Sequence, residues 1–118
     1  MKNQTIFQRG AYAWAGIVAS FRSERSFRSQ LKCFALVILV LLVTRPAPEW
    51  WAILFLTSGG LLAVELLNTA VEKLIDHLHP DIHPAIGVVK DTLAGAVLVM
   101  CVTAVAVFAA FLWRWAGF

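Results

Sequence analysis

Apolar residues first recur along the chain at helical steps and then fuse into long continuous runs. Phe7, Trp14, Ile17, Val18 and Phe21 are related by three-, four- and seven-residue steps, one face of an α-helix. That face predicts an amphipathic helix over about residues 4–22, lying in the membrane interface. The run "LKCFALVILVLLVT" at 31–44 is short for a membrane span. It reaches span length by extending back through Phe27, with Arg28 and Lys32 snorkelling toward headgroups. "RPAPEWW" then breaks the helix, because Pro46 and Pro48 cannot continue it, and Trp50 and Trp51 mark an interfacial belt. A second span runs from about Trp50 to Asp76, the loop "HLHPDIHP" follows, and a third runs from about Ala85 to Trp115. The fold expected is an all-α membrane protein: an N-terminal amphipathic surface helix plus three transmembrane helices (about 27–45, 50–76 and 85–115) in a single domain over residues 1–118.

Composition sharpens this picture. Of 118 residues, 60% are hydrophobic and 14% charged, which fits a small polytopic membrane protein better than a soluble globule. Lys2, Arg9, Arg22, Arg25, Arg28 and Lys32 precede the first span against the single acid Glu24. This bias puts the N-terminus and the 77–84 loop on the cytoplasmic side, with the 45–49 loop and the C-terminus outside. No basic stretch is interleaved with exposed aromatics, so a nucleic-acid partner is not expected. "AYAWAGIVASF" has the length of a signal-peptide core, but its amphipathicity and the following "RSERSFRSQLK" argue against cleavage. Cys33 and Cys101 lie in apolar runs without CxxC spacing and read as small buried hydrophobes.

Against this background the stretch "AVELLNTAVEKLIDHLHP" stands out. A charged side chain at the centre of a bilayer costs about 2.5–3.5 kcal/mol or more. Yet Glu65, Asn68 and Glu72 sit at i, i+3 and i+7 on one helical face, with Asp76 following. Such a stripe must face protein or water. For Asn68 alone, hydrogen bonding to another helix is the favoured reading. At 1.5 Å per residue, Glu65 lies about 22 Å and Glu72 about 33 Å from Trp50, while Asp91 lies about 33 Å from Trp113. Glu72, Lys90 and Asp91 therefore share the cytoplasmic edge, and Glu24 should reach it. Acids gathered at one level call for a cation. Mg²⁺ suits, since it takes oxygen from one or two carboxylates and from substrate phosphates. Lys90 would complement a phosphate. No GxxxxGK[ST] motif is present, so a nucleotide would be held through metal and carboxylates. His77, His79 and His83 read as exposed loop residues, with no fourth ligand spaced for a transition metal. Ser58, Gly59, Gly60, Ala63, Ala94 and Gly95 permit close helix approach.

The residues "ELLNTAVEKLID…IHPAIGVVKDTLAGAVLV" closely resemble the prokaryotic membrane diacylglycerol kinase family, which includes undecaprenol kinases. The family pattern Glu-x-x-Asn-(Ser/Thr)-Ala-(Ile/Val)-Glu is met at Glu65 to Glu72, and Lys-Asp-x-x-(Ala/Ser)-(Gly/Ala)-Ala at Lys90 to Ala96. "YAWAGIVASFRSERSFRSQ" is similar to the family's surface helix, with Glu-x-x-Phe-Arg at Glu24, Phe27 and Arg28. The resemblance implies a homotrimer of three-span protomers in the bacterial inner membrane, with active sites between subunits. It implies ATP-dependent phosphorylation of a lipid hydroxyl, diacylglycerol to phosphatidic acid first, with undecaprenol as the alternative substrate. It also implies Glu65 as general base, Glu24 and Glu72 as Mg²⁺ carriers, and Tyr12, Glu24, Glu72, Asp81, His83, Lys90 and Asp91 as ATP contacts. Asn68, Phe27 and Arg28 would support the site or the substrate. His77 and the paired "HP" dipeptides lean toward the undecaprenol branch, and Gln30 and Val88 stand where diacylglycerol kinases often have an acid and an arginine.

Two other classes compete. A small proton-coupled multidrug antiporter has this size and a membrane glutamate, but predicts four spans with that glutamate near the midplane. A structural membrane subunit predicts that neutral replacements at Glu65, Glu72 and Asp91 leave function intact.

Overall fold

The structure, a computed structural model, describes residues 3–118; Lys2, one of the basic residues counted above, lies outside them. Four α-helices follow in order: α1 (Ile6–Ser23), α2 (Arg25–Thr44), α3 (Pro48–Leu78) and α4 (Pro84–Trp115). α2, α3 and α4 are long and apolar enough to cross a membrane.

Local chemistry sets each boundary. α1 opens on a capping box: the Gln8 amide donates to Thr5 Oγ1 at 3.2 Å, and the Thr5 amide donates to Gln8 Oε1 at 3.0 Å. It ends at Glu24, whose extended backbone (φ −115, ψ 111) separates α1 from α2 within one residue. Arg28 Nη1 turns back to donate to the carbonyls of Phe21 at 2.7 Å and Arg22 at 3.1 Å. These are orphan carbonyls at the negative end of α1, so the guanidinium caps that helix. α2 stops where Arg45 adopts a left-handed conformation (φ 47), its amide donating to the Leu41 carbonyl at 2.9 Å.

Pro48 and Pro84 are the first residues of α3 and α4, so both helices begin earlier than the apolar runs suggested. A proline at the first helical position loses nothing, since its missing N–H would have had no partner there. With 31 and 32 residues, α3 and α4 are about 46–48 Å long, well beyond a hydrocarbon core of about 30 Å.

α3 packs most extensively on α4, and next on α2. Leu41, Leu54 and Phe111 form the buried core, flanked by Val37, Val40, Trp50, Trp51, Val107 and Phe108. Edge-to-face pairs Trp50–Phe111 at 5.5 Å and Phe34–Phe55 at 5.4 Å stiffen it. A Cβ on Gly60 would lie 3.1 Å from Met100 Cε, so Gly60 does permit close packing of α3 on α4. Gly59 and Gly95 have nothing within 4 Å of that position and do not serve that contact within this chain. Cys33 is exposed and Cys101 half-buried, so neither is the buried core residue expected; both are free thiols. Leu36, Leu39, Leu56, Leu67, Leu98 and Val105 are exposed, a surface suited to acyl chains or to other membrane helices rather than water.

Candidate functional site

Glu65 is buried, with 3% of its surface accessible, midway along α3. Its Oε1 accepts a hydrogen bond from Ser26 Oγ at 2.5 Å and its Oε2 accepts from Gln30 Nε2 at 3.0 Å. Ser26 and Gln30 are one helical turn apart on α2, which lets one helix face address both oxygens. Both donors are neutral. The ion pair found among the described residues, Lys90–Asp76, lies elsewhere. An ionised carboxylate only accepts, so the Gln30 amide must present nitrogen to it. This orientation leaves Gln30 Oε1 buried without a donor. Asn68 Oδ1 and Thr69 Oγ1 on the same helix are also buried without a partner, so the interhelical bond expected of Asn68 is not made within this chain.

Nearer the loop end of α3, Glu24 and Glu72 are both half-buried. Lys73 Nζ donates to Ser23 Oγ at 3.2 Å, a bond between the residue after Glu72 and the residue before Glu24. One turn further, Lys90 Nζ pairs with Asp76 Oδ1 at 2.6 Å, which brings α4 to the same layer. Asp91 beside it is exposed. A cavity of about 190 Å³ lies at the α3–α4 turn, lined by Asp76, His79, Asp81, His83, Gly87 and Lys90 among others. It gathers Asp81, His83 and Lys90 from the residues expected to meet a nucleotide. His83 is already engaged: its Nδ1 accepts from the Ala85 amide at 3.1 Å and caps α4. Tyr12 is exposed on α1 and lines a separate open groove with Arg9. Phe27 is buried and Arg28 caps α1, so both fix the α1–α2 corner that carries Glu24. His77 and His79 are exposed.

Among the described residues no three His, Cys, Asp or Glu side chains gather to hold a metal ion. The donor chemistry still fits Mg²⁺, which needs only one or two carboxylates when phosphates supply further oxygens, and Glu24 and Glu72 flank the residues that the Lys73–Ser23 bond joins. Ser26 and Thr69 escaped the sequence reading. Ser26 had a usable signal: with Gln30 it forms a polar i, i+4 pair at the entry of an apolar run, facing a carboxylate with no cation of its own.

A family model described as prokaryotic diacylglycerol kinase matches residues 11–112. The chain belongs to the prokaryotic diacylglycerol kinase family. It is 34% identical over 97 residues to the undecaprenol kinase of Bacillus subtilis, a match covering 82% of this chain and 79% of that protein. It is 36% identical over 97 residues to the diacylglycerol kinase of Synechocystis, covering 81% of this chain and 55% of that protein. With the Escherichia coli K12 diacylglycerol kinase it shares 28% identity over 113 residues, 95% of this chain and 92% of that one. The protein is thus a multi-pass membrane lipid kinase, and the multidrug-antiporter reading has no support.

Proposed function

We propose that this kinase transfers the terminal phosphate of ATP to the hydroxyl of a membrane lipid alcohol, diacylglycerol to phosphatidic acid foremost and undecaprenol second. Relatives bearing both names support the pair. The observation that carries the reading is Glu65, a carboxylate buried between apolar helices and held by neutral donors alone. A structural carboxylate in that setting would be matched by a cation or replaced by an apolar residue. A general base is kept because it must accept a proton.

Glu65 takes the proton of the lipid hydroxyl as its oxygen attacks the γ-phosphorus in line. The bond to the β–γ bridging oxygen breaks, and ADP leaves toward the aqueous side. Glu65 stands seven residues from Glu72, about 10 Å deeper, so the alcohol can arrive from the lipid side while the nucleotide stays at the edge. Glu24 and Glu72 would hold Mg²⁺, which when bound neutralises charge on the transferring phosphoryl group. Lys90, freed from Asp76, would meet a phosphate, with Asp91, Asp81, His83 and Tyr12 completing the nucleotide contacts. Asn68 would support Glu65.

The same reading makes the working unit a homotrimer with sites between subunits. The 190 Å³ cavity is smaller than the roughly 300–1,000 Å³ of ordinary small-molecule sites. The unpartnered Asn68 and Thr69 oxygens and the exposed apolar faces also point to a neighbouring copy. α1 lies in the cytoplasmic interface through its exposed Ile6, Phe7, Trp14 and Phe21, with the 79–83 loop on the same side and the C-terminus outside. The whole chain acts as one kinase unit in the bacterial inner membrane. The test is a side-by-side assay of purified protein with Mg-ATP and either diacylglycerol or undecaprenol in lipid nanodiscs. Phosphate transfer to diacylglycerol supports the reading; transfer to undecaprenol alone reverses the order of substrates, and transfer to neither refutes it.

A further inference from the structure

Resting on that reading, we propose that Ser26 holds the place of the acceptor hydroxyl on Glu65 and so keeps water off the base until a lipid alcohol displaces it. Ser26 Oγ donates to Glu65 Oε1 at 2.5 Å, the length of a charge-assisted O–H···O⁻ bond and the geometry an alcohol takes at a general base. The other oxygen, Oε2, belongs to Gln30. Each oxygen keeps a second lone pair, but Glu65 has only 3% of its surface accessible, so a third donor finds room at the carboxylate only when one of these bonds yields.

Ser26 is the one that yields. It is exposed in the first turn of α2, where its hydroxyl can turn to water instead. Gln30 is half-buried, and its amide is pinned by the carboxylate. Release of Ser26 frees Oε1, and the incoming lipid hydroxyl re-forms the same kind of bond there. The exchange is nearly even for an alcohol held by its lipid tail.

The device matters because water is a competing acceptor. In that side reaction the water oxygen bonds to the γ-phosphorus, the bond to the β–γ bridging oxygen breaks, ADP and inorganic phosphate leave, and the proton passes to Glu65 and on to solvent. A serine already seated on Oε1 denies water that position. It cannot itself advance toward the nucleotide, because its Cα is fixed in α2.

The experiment uses the full chain in nanodiscs with Mg-ATP. Ser26→Ala should raise ATP hydrolysis without lipid by roughly 10- to 150-fold, the fold-change expected from removing one hydrogen bond to a charged group. In the same variant the KM for diacylglycerol should fall several-fold, with kcat moving less than KM. Ser26→Thr, which keeps the hydroxyl, should restore the low hydrolysis, and Glu65→Gln added to Ser26→Ala should remove the extra hydrolysis. Unchanged lipid-free hydrolysis in Ser26→Ala, or phosphate found covalently on Ser26 by mass spectrometry after incubation without lipid, would overturn the proposal. Glu65→Gln with full lipid phosphorylation would instead overturn the base assignment beneath it, so the two failures are told apart.

Discussion

Replacing Gln30 by leucine removes the donor to Glu65 Oε2 while keeping in α2 a good helix former of similar size that is not branched at Cβ. A hydrogen bond to a charged group contributes about 1.5–3 kcal/mol. The amide also fixes the orientation of the carboxylate, and a misplacement of about 1 Å can cost about a hundredfold, so the lipid-transfer rate should fall by up to about a hundredfold. Fold stability should change much less. The wild-type glutamine already buries Oε1 without a donor, and an unsatisfied acceptor of that kind costs about 1–3 kcal/mol. Leucine relieves that cost while forfeiting the bond to Glu65, and the two effects oppose each other. The assay is single-turnover lipid phosphorylation in nanodiscs, run beside thermal unfolding in the same lipid. Wild-type turnover in Gln30→Leu would refute the argument that the amide positions the base. A large loss of thermal stability would refute the offset.

Two further predictions concern the neighbouring layers. Asp76→Asn should free Lys90 for a nucleotide phosphate and lower the KM for ATP about two- to fivefold, the scale of an exposed ion pair, as read from initial rates over a nucleotide series. Gly60→Ala should be neutral or stabilising, because the Met100 methyl it meets at 3.1 Å is the far end of a flexible side chain and alanine gains about 0.5–1 kcal/mol of helix propensity. Gly60→Leu should instead wedge α3 from α4 and destabilise by about 1–3 kcal/mol, visible in thermal unfolding.

Much of the architecture was legible because a bilayer leaves little choice. Backbone polar groups must be satisfied within a segment, so each long apolar run had to be a helix. The prolines mislead only at the margin: Pro48 reads as a breaker and Pro84 as part of the loop, and both are first residues of helices. The polar stripe on α3 was legible for the same reason, since Glu65 carries an unmistakable cost in an apolar helix. What the stripe meets was not legible. Periodicity fixes which residues share a face but not the rotation of α2 against α3, so the pairing of Ser26 and Gln30 with Glu65 required coordinates. Arg28 illustrates the same limit. Its place near a span end is legible, but that its guanidinium caps α1 follows only from how α1 turns against α2. His83 was expected near a ligand; the structure adds that its ring nitrogen caps α4, a role set by the proline that follows it.

The central claim is that the buried carboxylate of Glu65 accepts the proton of a lipid alcohol. Its most direct test is turnover of Glu65→Gln in nanodiscs with saturating Mg-ATP and diacylglycerol, beside equilibrium nucleotide binding by the same preparation. The account predicts unchanged nucleotide binding with lipid phosphorylation reduced by at least about a hundredfold, the scale of general-base catalysis. Lipid phosphorylation at the wild-type rate would contradict it.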